Sequence, residues 1–272
     1  MFFFTDKKGE RIKYDTESIV ALHSNIATPS YDYVTAEVEN GRRVVLDRIL
    51  QPRSIDTKFL LKAYDFHDTY LLRDEFYQLL SSYEELYFHE SALPHKRWKV
   101  LLNSEAMGEK GYSHASYDLR LLSVDGIAET LGTSLDLQNR KEWDINLWSW
   151  GMGLEWDKEY RYEHSSNNFV IDNIGNLAID PREHELEITI KATASNYLEI
   201  KNTTTGDIYR YNGSLTTNDV LVLKGIQSLK NGVSVFKNTN KKLLTLGIGS
   251  NQFTVTGGTI ASISFDFRFL YM

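Results

Sequence analysis

From Ser165 to its end the chain is dense in Asn, Thr, Gly and Ser, and turn-forming pairs such as Asn212-Gly213, Asn231-Gly232 and Gly257-Gly258 recur. This texture predicts antiparallel strands. Leu186-Glu187-Ile188-Thr189-Ile190-Lys191 alternates apolar and polar residues, the period that puts one strand face on a core. Tyr197 to Lys201 is its expected neighbour, and Lys201-Asn202-Thr203-Thr204-Thr205-Gly206-Asp207 supplies the turn into Ile208-Tyr209-Arg210-Tyr211. Further strands are expected at Val220–Leu223, Val233–Lys237, Leu243–Leu246, Gln252–Val255 and Ser262–Leu270. About eight strands without an intervening helix predict a sandwich or jelly roll.

The first half reads differently. Val44–Ile49, Arg53–Leu60, Leu86–Phe88 and Trp98–Asn103 look like strands, with Leu119–Leu122 and Thr133–Leu137 as further ones. Between them, Asp68 to Ser82 places Leu72, Phe76, Leu79 and Leu80 on one helical face, with Asp68 or Thr69 as N-cap. Residues 1–150 carry 18 basic and 24 acidic side chains, net −6, whereas residues 151–272 carry 12 and 13, net −1. Charge and texture therefore divide the chain into domains 1–150 and 151–272. The fold class is mainly β: a β-rich α+β first domain with one amphipathic helix, then a β-sandwich.

Composition removes several function classes. A net charge of −7 gives a polyphosphate no overall attraction, which disfavours sequence-independent nucleic-acid binding. Without cysteine there is no disulfide, thiolate metal site or cysteine nucleophile. The apolar start Met1 to Phe4 is broken at Thr5-Asp6-Lys7-Lys8, and no run reaches the roughly 18 apolar residues of a membrane helix. No signal peptide and no membrane insertion are expected, and synthesis in a cytoplasm follows.

No chemistry-bearing motif emerges. GxSxG, GxxxxGK[ST], HExxH and a strand-borne GxGxxG are all missing, and Gly247-Ile248-Gly249 sits among turns. His184, between Glu183 and Glu185, reads as a solvated turn residue; His89 and His95 have no ligand-spaced partner. Pairs such as Glu155 with Asp157, or Glu183 with Glu185, are what a chain of 37 carboxylates holds by chance. No catalytic residue, metal or cofactor is expected. Four of the five tryptophans cluster from Trp143 to Trp156, either packing a domain junction or, through Trp148, Trp150 or Trp156, stacking on sugar rings. In the closing run Phe265, Phe267 and Phe269 share one face, with Asp266 and Arg268 opposite, as in a half-buried strand.

An ordered set of segments resembles the distal tail proteins (Dit) of long-tailed phages that infect Gram-positive bacteria. In the first half these are Gly41-Arg42-Arg43, Arg53-Ser54-Ile55-Asp56-Thr57-Lys58-Phe59, Tyr70-Leu71-Leu72-Arg73-Asp74, and Leu86-Tyr87-Phe88 through Lys96-Arg97-Trp98-Lys99-Val100. In the second they are Asn176-Leu177-Ala178-Ile179-Asp180-Pro181, Ile200 to Gly206, Leu246-Gly247-Ile248-Gly249-Ser250-Asn251 and Phe265 to Phe269. The resemblance implies a non-enzymatic hub at the virion tail tip: a homo-hexameric ring formed by the first domain, with a galectin-like sandwich facing outward. It also implies the major tail protein and the tail-associated protein as neighbours, receptor-binding proteins at the rim, and DNA passing through the lumen without specific binding. For the ring interface Arg42, Arg43, Arg48 and Arg53 are the expected residues, since arginine favours interfaces where it meets carboxylates in a fork. A carbohydrate-binding module using Trp148, Trp150 or Trp156 is the alternative, and a glycosidase using a carboxylate pair ranks last.

Overall fold

The computed structural model describes all residues except 40, 82–84, 104–107, 141–143, 150 and 156. The described chain is mainly strand and divides into two compact units, Met1–Ala128 with Met272, and Glu129–Tyr271. No helix among the described residues is long and apolar enough to cross a membrane.

The first unit contains β1 (Phe2–Thr5), β2 (Ile19–Ile26), β3 (Tyr31–Val38), β4 (Arg42–Leu50), β5 (Arg53–Lys62), α1 (Phe66–Ser81), β6 (Leu86–Glu90), β7 (Lys96–Leu102), β8 (Glu109–Lys110) and β9 (His114–Ser123). Its main sheet runs β1-β6-β7-β9-β5-β2, with β8 on β9. The central pair, β5 and β9, is in register from Arg53 opposite Ser123 to Lys62 opposite His114. Alternation along β5 buries Ile55, Thr57, Phe59 and Leu61, the period-two pattern of a sheet with one face on a core.

Helix α1 covers that face. Leu72 and Phe76 are buried as the spacing predicts, whereas Leu79 and Leu80 are half-buried. The Phe76 ring packs on Phe59 at 5.0 Å and Tyr117 at 5.3 Å. The helix starts at Phe66, earlier than either expected cap. Asp65 accepts from the Asp68 backbone N–H at 2.9 Å, and Asp68 reaches back to the Tyr64 N–H at 2.7 Å. This reciprocal capping satisfies donors that an apolar-periodicity argument does not see. The opening residues, read above only for targeting, form β1: Phe2 and Phe4 pack on Phe59 at 5.1 and 6.3 Å and on Phe88 at 5.4 and 6.2 Å.

The second unit contains β10 (Ala128–Thr130, entering from the first), α2 (Ser134–Asn139), β11 (Glu163–His164), β12 (Asn168–Asn173), β13 (Leu186–Asn202), β14 (Ile208–Asn212), β15 (Leu221–Lys224), β16 (Gln227–Lys230), β17 (Val233–Ser234), β18 (Gly249–Phe267) and β19 (Leu270–Tyr271). The sheet order is β11-β18-β13-β15-β16-β17, with β12 on β18 and β14 on β13. The hairpin of β13 with β14 forms as expected, Tyr197 opposite Asn212.

Several expected elements change. Gln252–Val255 and Ser262–Phe267 are parts of one nineteen-residue strand, β18, with Leu270 in the separate β19, and Gly257-Gly258 is a bend inside β18 rather than a turn. The register between β13 and β18 shifts after Lys191 and after Ala194, so two long strands bulge together and their inward faces wrap one core. At the bend Gly257 has φ +79, and Cβ atoms at Gly257 and Gly258 would lie 2.6 Å from the Tyr197 carbonyl and 2.5 Å from the Thr193 carbonyl. Only glycine permits that approach. Leu243–Leu246 is not a strand, and Val233–Lys237 is two strand residues followed by a short 3-10 turn at Phe236–Asn238. Thr133–Leu137, expected as a strand, leads into α2. Thr133 accepts from the Asp136 N–H at 3.4 Å and Asp136 from the Thr133 N–H at 2.8 Å, a capping box.

The division expected at residue 150 falls inside the second unit. Hydrogen bonds account for this: Thr130 N–H donates to the Phe269 carbonyl at 2.9 Å, and the Ser134 hydroxyl donates to the Phe265 carbonyl at 2.8 Å. The segment that shares the first half's composition is thus tied to the closing strand.

Candidate interaction surface

Strands β3 and β4 pair with each other and form a separate two-stranded sheet. Tyr31 lies opposite Leu50 and Val38 opposite Arg42, with Leu46 bulged out between Val34/Asp47 and Thr35/Val45. Gly41, at φ +74, turns the ribbon, and its N–H donates to the Val38 carbonyl at 3.2 Å. Because cross-strand partners share a face, Tyr31, Tyr33 and Val45 lie on one side and Val34, Val38, Val44 and Ile49 on the other. Both sides are open: Tyr33 is 60% exposed, Val45 57%, Leu46 65% and Ile49 51%. A lone ribbon is marginal in water, and strand-forming residues with neither face covered are a surface built for something else to cover.

Arg42, Arg43 and Arg48 lie on this ribbon. All three side chains are exposed, Arg43 opposite Glu37 and Arg48 opposite Tyr33. The Arg48 guanidinium sits 4.9 Å from the centre of the Tyr31 ring. The ribbon thus presents arginines interleaved with apolar and aromatic side chains, the composition that dominates binding energy at interfaces.

Arg53 is a different case. Expected alongside the other three, it opens β5 with 5% exposure, opposite Ser123. Its Nε and Nη2, and the Ser123 hydroxyl, are buried without a hydrogen-bond partner among the described residues. Burial pushes its pKa down, against a smaller opposing effect of Tyr31.

A second exposed surface was not singled out by sequence. The outer side of α1 and its surroundings expose Tyr64, Phe66, Tyr70, Leu71, Tyr77 and Tyr112. Phe66 meets Tyr70 edge-on at 5.1 Å, Arg73 lies 5.1 and 5.8 Å from the Tyr70 and Tyr77 rings, and the Lys110 ammonium lies 4.8 Å from Tyr70. The i, i+4 spacing of Phe66 and Tyr70 carries this signal, but it lies off the buried stripe on which the helix was assigned.

Trp148 does not offer a sugar platform. Trp148 is 1% exposed, edge-on to Phe269 at 6.1 Å, and a Cβ at Gly132 would come within 2.7 Å of its ring. Neither indole face is free, because the ring completes the second unit's core. Trp143, Trp150 and Trp156 lie outside the described residues. His184 is 4.0 Å from Glu183, and no group of three or more metal-ligating side chains occurs among the described residues.

Residues 8–116 match the family model of the phage tail protein RIFT-related domain. The fold of the whole chain is similar to that of the SPP1 Dit protein, described as a paradigm of the hub adsorption apparatus in Gram-positive infecting phages. The TM-score is 0.69 at 11% identity, covering 99% of both chains. A chain of the phage p2 baseplate in its activated conformation aligns at TM-score 0.46 and 10% identity over 98% of this chain and 97% of that one. No curated protein matches. The resemblance to the distal tail proteins that the sequence suggested is found in both the domain match and the fold.

Proposed function

We propose that this chain, with the fold of a siphophage distal tail protein, is a structural hub whose first unit closes into a hexameric ring at the end of a phage tail tube. The observation that carries the reading is the ribbon of β3 and β4, apolar and open on both faces. A second, different apolar surface on α1 supports it. Two unlike patches on one chain allow head-to-tail contacts, and head-to-tail contacts generate rings when the rotation closes. In this reading the ribbon's arginines pair with carboxylates of the next copy, while the major tail protein and the tail-associated protein take the two ring faces and receptor-binding proteins the rim. The net charge of −6 over residues 1–150 suits a conduit that DNA crosses without binding, since basic walls would hold phosphates. The role is structural rather than enzymatic.

The test is electron microscopy of the full-length protein beside a Leu46→Asp, Ile49→Asp double variant. The unmodified chain is expected to give six-fold annular particles. The variant is expected to give none while keeping its circular dichroism spectrum and unfolding midpoint, since both side chains are already exposed. An Arg42→Glu, Arg43→Glu variant provides a second, independent disruption of the same ribbon. Rings that persist in both variants would overturn the ribbon's role.

A further inference from the structure

A third surface of the first unit, part of neither the ribbon nor α1, concentrates positive charge. After β1 the chain turns back on itself: Asp6 N–H donates to the Glu10 carbonyl at 3.0 Å, Gly9 N–H to the Asp6 carbonyl at 3.1 Å, and Thr5 bridges to Arg11 across the hairpin. Gly9, at φ +85, supplies the left-handed position, and Asp6 Oδ1 accepts from the Glu10 N–H at 2.8 Å. Arg97 of β7 supports this turn from below. It is 2% exposed, its guanidinium lies 4.0 Å from the centre of the Tyr87 ring, and its Nη1 donates to the Lys7 carbonyl at 3.1 Å. Lys7 and Lys99 both meet Glu85, at 3.9 and 2.6 Å. A buried arginine bonded to a turn carbonyl fixes that turn, so the outward cations are held in place before anything binds.

Segments 6–13 and 85–99 together hold seven Lys or Arg against four Asp or Glu, whereas the rest of residues 1–150 holds eleven against twenty. The local acids do not neutralise this excess. Glu85 already serves Lys99 and Lys7; a hydrogen bond from Lys99 is the chief cause that holds it below its usual 4.5, and the charges of Lys99, Lys7 and Arg97 add to it against burial. Asp6 is engaged in its own turn. Lys8, Arg11 and Lys13 are exposed and have no carboxylate partner among the described residues, Arg11 lying 4.7 Å from the centre of the Phe3 ring. Such a patch attracts carboxylates that come within a Debye length. Glu10 and Glu85, interleaved among the cations, would oppose the continuous charge of a polyphosphate, whereas a folded protein can place separate carboxylates opposite separate cations.

We propose that this hairpin face docks an acidic surface of a partner protein, with Lys8, Arg11 and Lys13 pairing with its carboxylates and Arg97 acting as a positioning residue beneath the turn. It uses neither the ribbon nor α1, so it stands independently of ring formation by the first unit.

Fluorescence anisotropy of a labelled octaglutamate peptide with the full-length protein tests it, at about 50 mM salt, which screens the distant acidic surface more than close pairs. Binding is expected, with affinity falling at least about tenfold in a Lys8→Glu, Lys13→Glu double variant. A Lys191→Glu, Lys201→Glu variant makes the same change in net charge on exposed residues of β13 and is expected to shift the affinity by less than about twofold. All four lysines are exposed, so the unfolding midpoints of both variants are expected to stay near that of the unmodified chain, and a loss of binding reports on charge rather than folding. Absence of peptide binding overturns the proposal, as does an equal loss in the two variants. Tighter binding of a single-stranded oligothymidylate of matched charge would assign the face to nucleic acid and overturn it as well.

Discussion

Lowering the pH from about 7 to about 5 is expected to remove about 2 kcal/mol from the stability of the first unit, through His89. Its ring is fully buried between Thr5 and the Leu93-Pro94 turn. Nδ1–H donates to the Pro94 carbonyl at 2.9 Å, and Nε2 accepts from the Thr5 hydroxyl at 2.9 Å, so the neutral ring is satisfied on both sides. Burial is the chief cause that lowers its pKa from 6.5 to about 4, with Arg97 and Arg11 adding to it and the Pro94 bond opposing. A histidine whose folded pKa is depressed binds fewer protons folded than unfolded. Its contribution is therefore complete above 6.5 and is lost as the pH falls from there toward 4. His95 adds to the same window, its pKa lowered to about 4 by burial and its Nδ1 without a partner among the described residues. Carboxylates held low by a hydrogen bond, Glu85 from Lys99 and Asp180 from Arg182, respond only below their ordinary values of 4.5 and 3.8. Urea unfolding followed through the first unit at several pH values reads this directly. A midpoint flat between pH 7 and 5 would contradict it, and His89→Gln should flatten much of the slope.

Replacing Phe59 by alanine is expected to cost about 3–5 kcal/mol, enough to unfold much of the first unit's population at moderate temperature. Phe59 is fully buried where β1, β5 and α1 meet, touching Phe2, Phe4 and Phe76 at ring separations of 5.1, 6.3 and 5.0 Å. Removing it takes away buried apolar area and leaves a hole walled by three other aromatic rings, which cannot collapse into it without leaving their own contacts. Leu71→Ala, on the exposed side of α1, is the matched control and should move stability by less than about 0.5 kcal/mol. Denaturant midpoints for the two variants decide the matter, and equal losses would mean that the core is not centred on Phe59.

The contrast between these two leucine and phenylalanine sites reflects what was legible in the sequence. Two-residue alternation in Leu186–Lys191 and the Leu72, Phe76 spacing of α1 are local patterns, and both structures formed where the patterns lay. A glycine pair such as Gly257-Gly258 permits a turn or a bend within a strand; what decides it is the close approach of the Tyr197 and Thr193 carbonyls, contacts distant in sequence. Thr133–Leu137 looked like a strand by its apolar residues, while the Thr133 and Asp136 capping pair was the stronger signal. At the surface, Arg42, Arg43 and Arg48 are exposed on β4, but nothing in the sequence separates them from Arg53, whose burial depends on pairing with β9. The aromatic patch on α1 escapes a search for the buried stripe because Phe66, Tyr70 and Tyr77 lie off it, while Lys110, which joins the patch, comes from a different strand.

Ring formation through the first unit is the central claim, and the solution mass of the full-length protein is its most direct test. Light scattering over a range of concentration and salt is expected to give a species of about six chains of 31.4 kDa. It is expected to persist at high salt, because salt screens the ribbon's arginine–carboxylate pairs but not the apolar contacts of β3 and β4. A mass of one chain at every concentration, up to the solubility limit, would contradict the account.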